Sequence, residues 1–312
     1  MARNSKYILF LIIVGALLLF ILRKEIYRSL IVENKQIFPS FIENIINNRI
    51  NRRAESLPTY KAEETIKILE GWTVRGISQY FEELGKWQSE ELLELVGFPQ
   101  TDYRDNKEMS FPKDFSANFQ FLKDKPKYYG LEGYLFPDTY KIYSDATLEE
   151  VVVKMLQNFD DKLTPKMRAD IEKQGKTIYE IVTMASIIEK EAPIINSPDS
   201  DNKDAKIISG IFWDRLKVGQ ALQSDATLSY IFGDNKPGHS GKELEVDSPY
   251  NTYKYRGLPP SPICNPGIVA LEAAIYPIKT TYNYFLTPSD SKEVIYADTY
   301  EQHLANKYKY LK

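Results

Sequence analysis

Glu189 is the residue of this sequence best suited to proton transfer, because it lies where a carboxylate is least expected. At 100° per residue, the apolar residues of a helix beginning after Thr177 share one face: Ile178, Ile181, Val182, Ala185 and Ile188. Glu189 falls at the edge of that face, and burial there would raise its pKa, as a general acid at neutral pH requires. A buried glutamate paired with a lysine or arginine, or a carboxylate at the margin of the face in water, fits the same pattern.

The other two carboxylates of this helix have structural interpretations. Thr177 and Glu180 have the spacing of a capping box, so Glu180 is predicted to hold the start of the helix. Glu191 points roughly away from the apolar face and is predicted to be solvated. Glu189 is therefore the carboxylate of this helix that a structural role explains least well.

Other kinds of catalytic centre have few residues to draw on. The chain has two histidines, His239 and His303, and one cysteine, Cys264, with no histidine near it in sequence. A Cys-His centre, a Ser-His centre or a multi-histidine metal site is therefore disfavoured. One cysteine rules out an intrachain disulfide and leaves the compartment open. A formal net charge of −3, with scattered lysines and arginines, argues against a nucleic-acid-binding protein.

The N-terminal residues predict a membrane anchor. Tyr7 to Leu22 is an uninterrupted run of apolar and small residues with basic residues on both sides. A helix of this length rises roughly 24 Å, and flanking lysines and arginines can reach the surface of a hydrocarbon core of about 30 Å. We therefore expect an uncleaved transmembrane helix within 1–28 and a helical spacer over 29–60. A cleaved signal peptide and a buried soluble helix are the alternatives, and the basic residues on both sides leave the orientation open.

A small strand-helix-helix module is predicted over 61–110. Thr65 to Leu69 alternates as a short strand does. Thr73 can cap a helix over Val74–Leu84, and Ser89 can cap the helix that follows.

A larger mixed domain is predicted over 111–312. Its predicted elements are helices over Leu148–Asp161, Thr177–Ala192 and Ala205–Val218, a helix from Asn265-Pro266 to Tyr276, a hairpin of Tyr282–Thr287 and Val294–Ala297, and a tail helix from Thr299. Helices and short strands without repeated βαβ units favour the α+β class.

Five segments of the larger domain occur in an order that resembles one enzyme family. They are Leu131-Glu-Gly-Tyr-Leu-Phe-Pro-Asp-Thr-Tyr140, Ala185-Ser-Ile-Ile-Glu-Lys-Glu191, Leu222-Gln-Ser-Asp225, Ser248-Pro-Tyr-Asn-Thr-Tyr253 and Gly257-Leu-Pro-Pro-Ser-Pro-Ile-Cys-Asn-Pro-Gly267. Over roughly residues 65–312 the chain is similar to the MltG/YceG-like endolytic murein transglycosylases. The segment from Leu69 to Val74 is similar to the LysM-like part of that family.

The resemblance implies both an activity and a location. It implies that Glu189 is the catalytic residue of a lytic transglycosylase that cleaves the bond between N-acetylmuramic acid and N-acetylglucosamine in peptidoglycan. The products would carry 1,6-anhydro ends, and no metal or cofactor would be needed. The enzyme would be anchored through Tyr7–Leu22 in the cytoplasmic membrane, with its N-terminus inside and its catalytic domain outside. It would trim or terminate nascent strands in cell-wall assembly, alongside the wall-synthesis machinery.

The same segments offer groups that could bind a glycan. Tyr250 and Tyr253 could stack on sugar rings, and a further set could bond hydroxyl and acetamido groups: Gln223, Asp225, Asn251, Thr252, Glu132 and Asn265. Each has a structural alternative, since Asp225 and Asn265 could cap the helices that follow them and Glu132 could orient a turn.

Two other functions remain open from the sequence. A glycan hydrolase would pair Glu189 with a second carboxylate among Glu132, Asp138 and Asp225. A non-catalytic wall-binding protein anchored in the membrane is the other alternative, although binding alone does not require a desolvated acid.

Overall fold

The computed structural model describes residues 22–23, 62–106, 108–193, 201–234, 236, 238–288 and 293–311. The chain divides into two compact units, 1–61 and 62–312. Of the first unit, Leu22 and Arg23 are described and are helical. The rest of the predicted anchor, residues 7–21 of Tyr7–Leu22, and the predicted spacer over 29–60 lie outside the described residues. None of the helices in the described part of the chain combines the length and hydropathy that a bilayer crossing requires.

The second unit opens with a two-stranded antiparallel sheet. Strand β1 (Glu63–Lys67) pairs with strand β2 (Thr139–Tyr143), with Glu63 opposite Tyr143 and Lys67 opposite Thr139. Strand β1 begins two residues earlier than predicted, and β2 was not predicted because its alternation extends over five residues only. The sheet joins the predicted 61–110 module to the predicted 111–312 domain, and the division between the two stays a prediction.

Two helices lie between these strands along the chain. Helix α1 (Val74–Glu83) is capped as predicted, because the side chain of Thr73 accepts the N–H of Gly76. Helix α2 (Ser89–Val96) is capped by Gln88 in a capping box with Glu91, so the prediction that Ser89 is the cap was wrong. Ser89 is the first helical residue, and its hydroxyl instead forms a hydrogen bond with that of Ser78.

The remaining described elements follow in a mixed helical and antiparallel arrangement, as the α+β class predicts. They are α3 (Leu148–Lys162), α4 (Pro165–Lys173), α5 (Ile178–Glu191), α6 (Lys203–Lys217), α7 (Asp225–Phe232), α8 (Ile268–Ile275), the antiparallel hairpin of β3 (Tyr284–Leu286) and β4 (Ile295–Ala297), and α9 (Tyr300–Tyr310). Short 3₁₀ turns occur at Gln120–Leu122 and Glu243–Glu245. Helix α4 was not predicted, although Thr164 caps it and Pro165 opens its first turn.

Helix α5 is the centre of the second unit. It packs against α4, α6, α7 and α8, and every residue from Ile181 to Ile188 is buried. The prediction of a single apolar face was therefore too narrow, because other elements pack against this helix on all of its sides. Its polar residues bond internally, with the Thr183 hydroxyl donating to the carbonyl of Tyr179 and the Ser186 hydroxyl to that of Thr183. Glu189 thus follows directly on the buried core of the unit.

Candidate active site

Glu189 lies in the last turn of α5 with its side chain half-buried. Its Oε2 accepts the backbone N–H of Gly267 at 3.0 Å. Gly267 is the N-cap residue of α8, so the carboxylate lies at a helix start, where backbone N–H groups lack helical partners. Burial raises the pKa of Glu189 to about 7, with Glu70 adding to the rise, whereas the Gly267 N–H and Lys190 oppose it. A carboxyl with this pKa can give and take a proton near neutral pH.

The loop after β1 reaches this carboxyl from the far end of the unit's sequence. The N–H of Gly71 donates to the carbonyl of Asn265 at 2.9 Å, and the N–H of Asn265 donates to the carbonyl of Trp72 at 2.8 Å. A Cβ added at Gly71 would lie 3.5 Å from Cγ of Glu189, which places the loop against the catalytic candidate. Glu70, on the same loop, was not among the predicted site residues.

Asn265 and Glu132 form a buried support behind the loop that carries Gly267. Oδ1 of Asn265 accepts the N–H groups of Gly133 and Leu135 at 3.0 and 2.9 Å, and its Nδ2 lies 3.3 Å from Oε1 of Glu132. Glu132 also accepts the N–H of Val74 at the start of α1, and burial raises its pKa to about 8. The predicted capping role of Asn265 was wrong, because Gly267 caps α8.

Three of the predicted binding residues are buried and bonded to protein groups. The hydroxyl of Tyr250 forms a 2.6 Å hydrogen bond with that of Ser261. The side-chain amide of Asn251 donates to the carbonyls of Leu244 and Val246. The hydroxyl of Thr252 accepts the N–H of Ser224 at 3.0 Å. In this conformation these side chains, like Glu132 and Asn265, support the walls of the site, and their direct contact with a glycan stays a prediction.

The other predicted binding residues remain accessible. Gln223 is exposed and has a φ of +53°, a left-handed conformation that is uncommon for residues other than glycine. Asp225 and Tyr253 are half-buried, and the tyrosine hydroxyl donates to Asp225 Oδ1 at 2.8 Å. Asp225 is the first residue of α7, so the prediction that it caps that helix was off by one position.

Glu191 links α5 to the segment that carries Gln223 and Asp225. Its Oε1 accepts the Ser224 hydroxyl at 2.5 Å and lies 3.4 Å from the N–H of Ala226, at the start of α7. Burial raises its pKa, and the Ser224 hydrogen bond opposes that rise. The prediction of a solvated Glu191 was therefore wrong, whereas the predicted capping box of Thr177 and Glu180 is confirmed.

Two other carboxylate positions bear on the chemistry. Asp138 is exposed at the start of β2, where it accepts the N–H of Thr139 and the side-chain amide of Asn158. Asp234, His239 and Glu243 offer ligand atoms within 4.8 Å of one another, but the ammonium of Lys236 lies 3.1 Å from Asp234 and 2.8 Å from Glu243. The Lys236 ammonium thus already neutralises part of the negative charge of Asp234 and Glu243. The expectation that the reaction needs no metal stays a prediction.

The fold and the site together define an α+β protein with a half-buried carboxyl of raised pKa at the junction of two helices and a loop. A sequence model of the YceG-like family matches residues 41–309, and the chain belongs to that family. A crystal structure of a YceG-like protein from Listeria monocytogenes superposes with a TM-score of 0.62 at 32% identity, covering 81% of this chain and 78% of that one.

Two curated relatives carry the name endolytic murein transglycosylase. The protein of Bacillus subtilis (strain 168) is 39% identical over 182 residues, which are 58% of this chain and 48% of that protein. The protein of Streptococcus pneumoniae serotype 2 (strain D39 / NCTC 7466) is 35% identical over 190 residues, which are 59% of this chain and 33% of that protein. The matched part thus spans about half of the first relative and a third of the second.

Proposed function

We propose that this chain is an endolytic lytic transglycosylase that cuts peptidoglycan between N-acetylmuramic acid and N-acetylglucosamine. The observation that carries the proposal is the half-buried Glu189, whose pKa of about 7 suits a group that acts first as an acid and then as a base. The names of the relatives from Bacillus and Streptococcus supply the substrate class. We propose a role in trimming or terminating nascent strands beside the wall-synthesis machinery.

Glu189 serves both halves of the proposed reaction. Its proton goes to the bridging oxygen, the bond from C1 of N-acetylmuramic acid to that oxygen breaks, and N-acetylglucosamine leaves with a free 4-hydroxyl. The 6-hydroxyl of the same muramic residue then bonds to C1 and returns its proton to Glu189. The product is a 1,6-anhydro ring, no water is consumed, and the carboxyl ends as it began. An intramolecular nucleophile held in a closed site has a large effective concentration.

A two-carboxylate hydrolase is the second candidate, and one observation favours it. Glu70 lies beside Glu189, and glycosidases that use water commonly need a second carboxylate. The second carboxylates considered from the sequence are less suitable. Glu132 is buried and accepts protein hydrogen bonds, Asp138 accepts bonds at the start of β2, and Asp225 accepts the Tyr253 hydroxyl.

Product mass separates the two reactions. The purified full-length chain is incubated with sacculi in ¹⁸O-water, and the masses of the released fragments are measured by mass spectrometry. Lytic cleavage gives 1,6-anhydro ends that are one water lighter than hydrolytic ends and carry no ¹⁸O. Reducing ends that contain ¹⁸O would show that water is the nucleophile, and the chain would then be a hydrolase.

Glu189→Gln tests the assigned residue. Glutamine keeps the shape and can accept the Gly267 N–H but cannot donate the proton, so cleavage should fall by at least the ~10²–10⁴-fold typical of general acid–base steps. Glu180→Gln is the matched control on the same helix, because glutamine also completes a capping box. Near-normal cleavage by folded Glu189→Gln would remove Glu189 from the mechanism and leave the non-catalytic wall-binding protein as an alternative. Glu191→Gln is unsuitable as a control, because Glu191 holds the start of α7.

We propose further that the chain is anchored in the cytoplasmic membrane through Tyr7–Leu22, with the second unit outside. The apolar run and its flanking basic residues support this arrangement, and so does the location of the proposed substrate in the wall.

A further inference from the structure

Glu70 and Glu189 both contact Gly267, the N-cap residue of α8. Glu189 accepts the N–H of Gly267, and the side chain of Glu70 lies against its Cα. A Cβ added to Gly267 would lie 2.0 Å from Oε1 and 2.3 Å from Cδ of Glu70, so a larger residue at this position would force the Glu70 side chain to move. The two carboxyl groups therefore share one backbone residue as their common neighbour.

The backbone directly after Glu70 is held in place beside this contact. The reciprocal backbone hydrogen bonds of Asn265 with Gly71 and Trp72 tie the loop after β1 to the loop that carries Gly267. The Glu70 side chain is half-buried, where charge interactions are less screened than in open solvent. The fold thus places the backbone of Glu70 beside the loop that carries Gly267, and the half-buried Glu70 side chain lies against Gly267.

The charged groups around Glu189 act in opposite directions. Lys190 on its own helix and the Gly267 N–H favour the ionised carboxylate. Behind the Gly267 loop lie Cys264, whose burial raises the thiol pKa well above its usual range, and Glu132, whose pKa burial raises to about 8. Glu70 is the group whose negative charge favours the protonated form of Glu189.

We infer that Glu70 is a positioning residue of the reaction, whose carboxylate, lying against Gly267, adds to the effect of burial in holding Glu189 in the protonated form that begins cleavage. The inference rests on the proposed function. The same negative charge helps the second half of the reaction. Once Glu189 has given up its proton, a neighbouring carboxylate makes it a stronger base toward the 6-hydroxyl. Glu70 acts through Glu189 and forms no bond with the sugar.

The test is the pH profile of kcat/KM for Glu70→Gln on peptidoglycan, with Glu83→Gln as the matched control. Glu83 is an exposed carboxylate of α1 in the same part of the fold, so its variant removes an equal charge away from the site. For Glu70→Gln we expect the basic limb to move to lower pH. The variant should be near wild-type at pH 5.5 and about tenfold slower at pH 8, as a limb lowered by about one pH unit gives. Glu70→Asp keeps the charge and should keep the wild-type limb even if its rate falls.

Two outcomes would overturn the inference. A uniform loss at all pH values, with the limb unmoved, would make Glu70 a structural residue only. Complete loss at all pH values, together with ¹⁸O in the wild-type products, would make Glu70 the nucleophile or base of a hydrolase. Wild-type products without 1,6-anhydro ends would instead refute the proposed function, whatever Glu70 does.

The wild-type chain decides the question if Glu70→Gln does not fold. Carboxyl-carbon NMR follows the titration of Glu189, assigned by the signal lost in Glu189→Gln. Interacting carboxyls titrate in coupled steps, so the Glu189 signal should show two inflections. A single independent inflection would refute the interaction.

Discussion

Replacing Glu189 should make the protein more stable at alkaline pH while abolishing its activity. The folded protein holds the Glu189 proton more tightly than the unfolded chain does, because the pKa is about 7 in the fold and 4.5 for an ordinary glutamate. Below pH 4.5 both states are protonated, so the residue contributes no difference. Between pH 4.5 and 7 the unfolded state loses its proton first, and stability falls as the pH rises. Above pH 7 the fold carries a constant cost of burying the carboxylate.

The size of that cost follows from the two pKa values. Their difference corresponds to about 3 kcal/mol at full ionisation, an upper figure because the residue is half-buried. Glutamine does not titrate and can still accept the Gly267 N–H. Glu189→Gln should therefore match the wild type near pH 4.5 and exceed it by about 2–3 kcal/mol at pH 8. For a unit of this size, that corresponds to a Tm roughly 5–10 °C higher.

Urea unfolding followed by circular dichroism, at half-unit steps from pH 4.5 to 8.5, measures this difference directly. Glu180→Gln is again the matched control, because it makes the same substitution on the same helix. A Glu189→Gln advantage that is the same at every pH would refute the reasoning, because it would mean that Glu189 does not retain its proton in the folded state. A stability deficit at pH 8 would refute it more strongly and would indicate that the ionised carboxylate is favourably bound.

Two further predictions concern the support of the site and its location. Asn265→Ala should destabilise the fold by about 2–5 kcal/mol, because the buried N–H groups of Gly133 and Leu135 lose their acceptor; urea unfolding measures this, and a loss under 1 kcal/mol would contradict it. The chain should sediment with membranes, and protease added to spheroplasts should digest residues beyond Arg28; full protection with the cell interior intact would contradict the proposed topology.

The sequence predicted those parts of the site that depend on local patterns. The 3.6-residue period placed Glu189 beside buried residues, and the Thr177–Glu180 spacing located the start of α5. Both signals arise within a few residues and need no knowledge of the tertiary fold. The five ordered segments led to the family, and the YceG-like match confirms it.

Features that depend on distant contacts were not predicted. Glu70 lies on a loop far from Glu189 along the chain, and the pairing of β1 with β2 and the bonds of Asn265 hold that loop at the site. Glu191 was predicted to be solvated because the helical wheel does not show that α7 covers that side of α5. Asn265 lies where the sequence favours a helix cap, but its side chain forms hydrogen bonds with backbone groups of two other segments.

The shared sheet and the Asn265 bonds constrain how the protein can be divided or recombined. A fragment beginning at residue 111 would lose β1 and leave β2 as an unpaired edge. It would also lose the Val74 N–H that Glu132 accepts, so a buried carboxyl would lack one of its donors. The portion that resembles LysM is thus not a module that can be exchanged on its own. Chimaeras that exchange glycan-binding modules should join their sequences before residue 62, where the second compact unit begins.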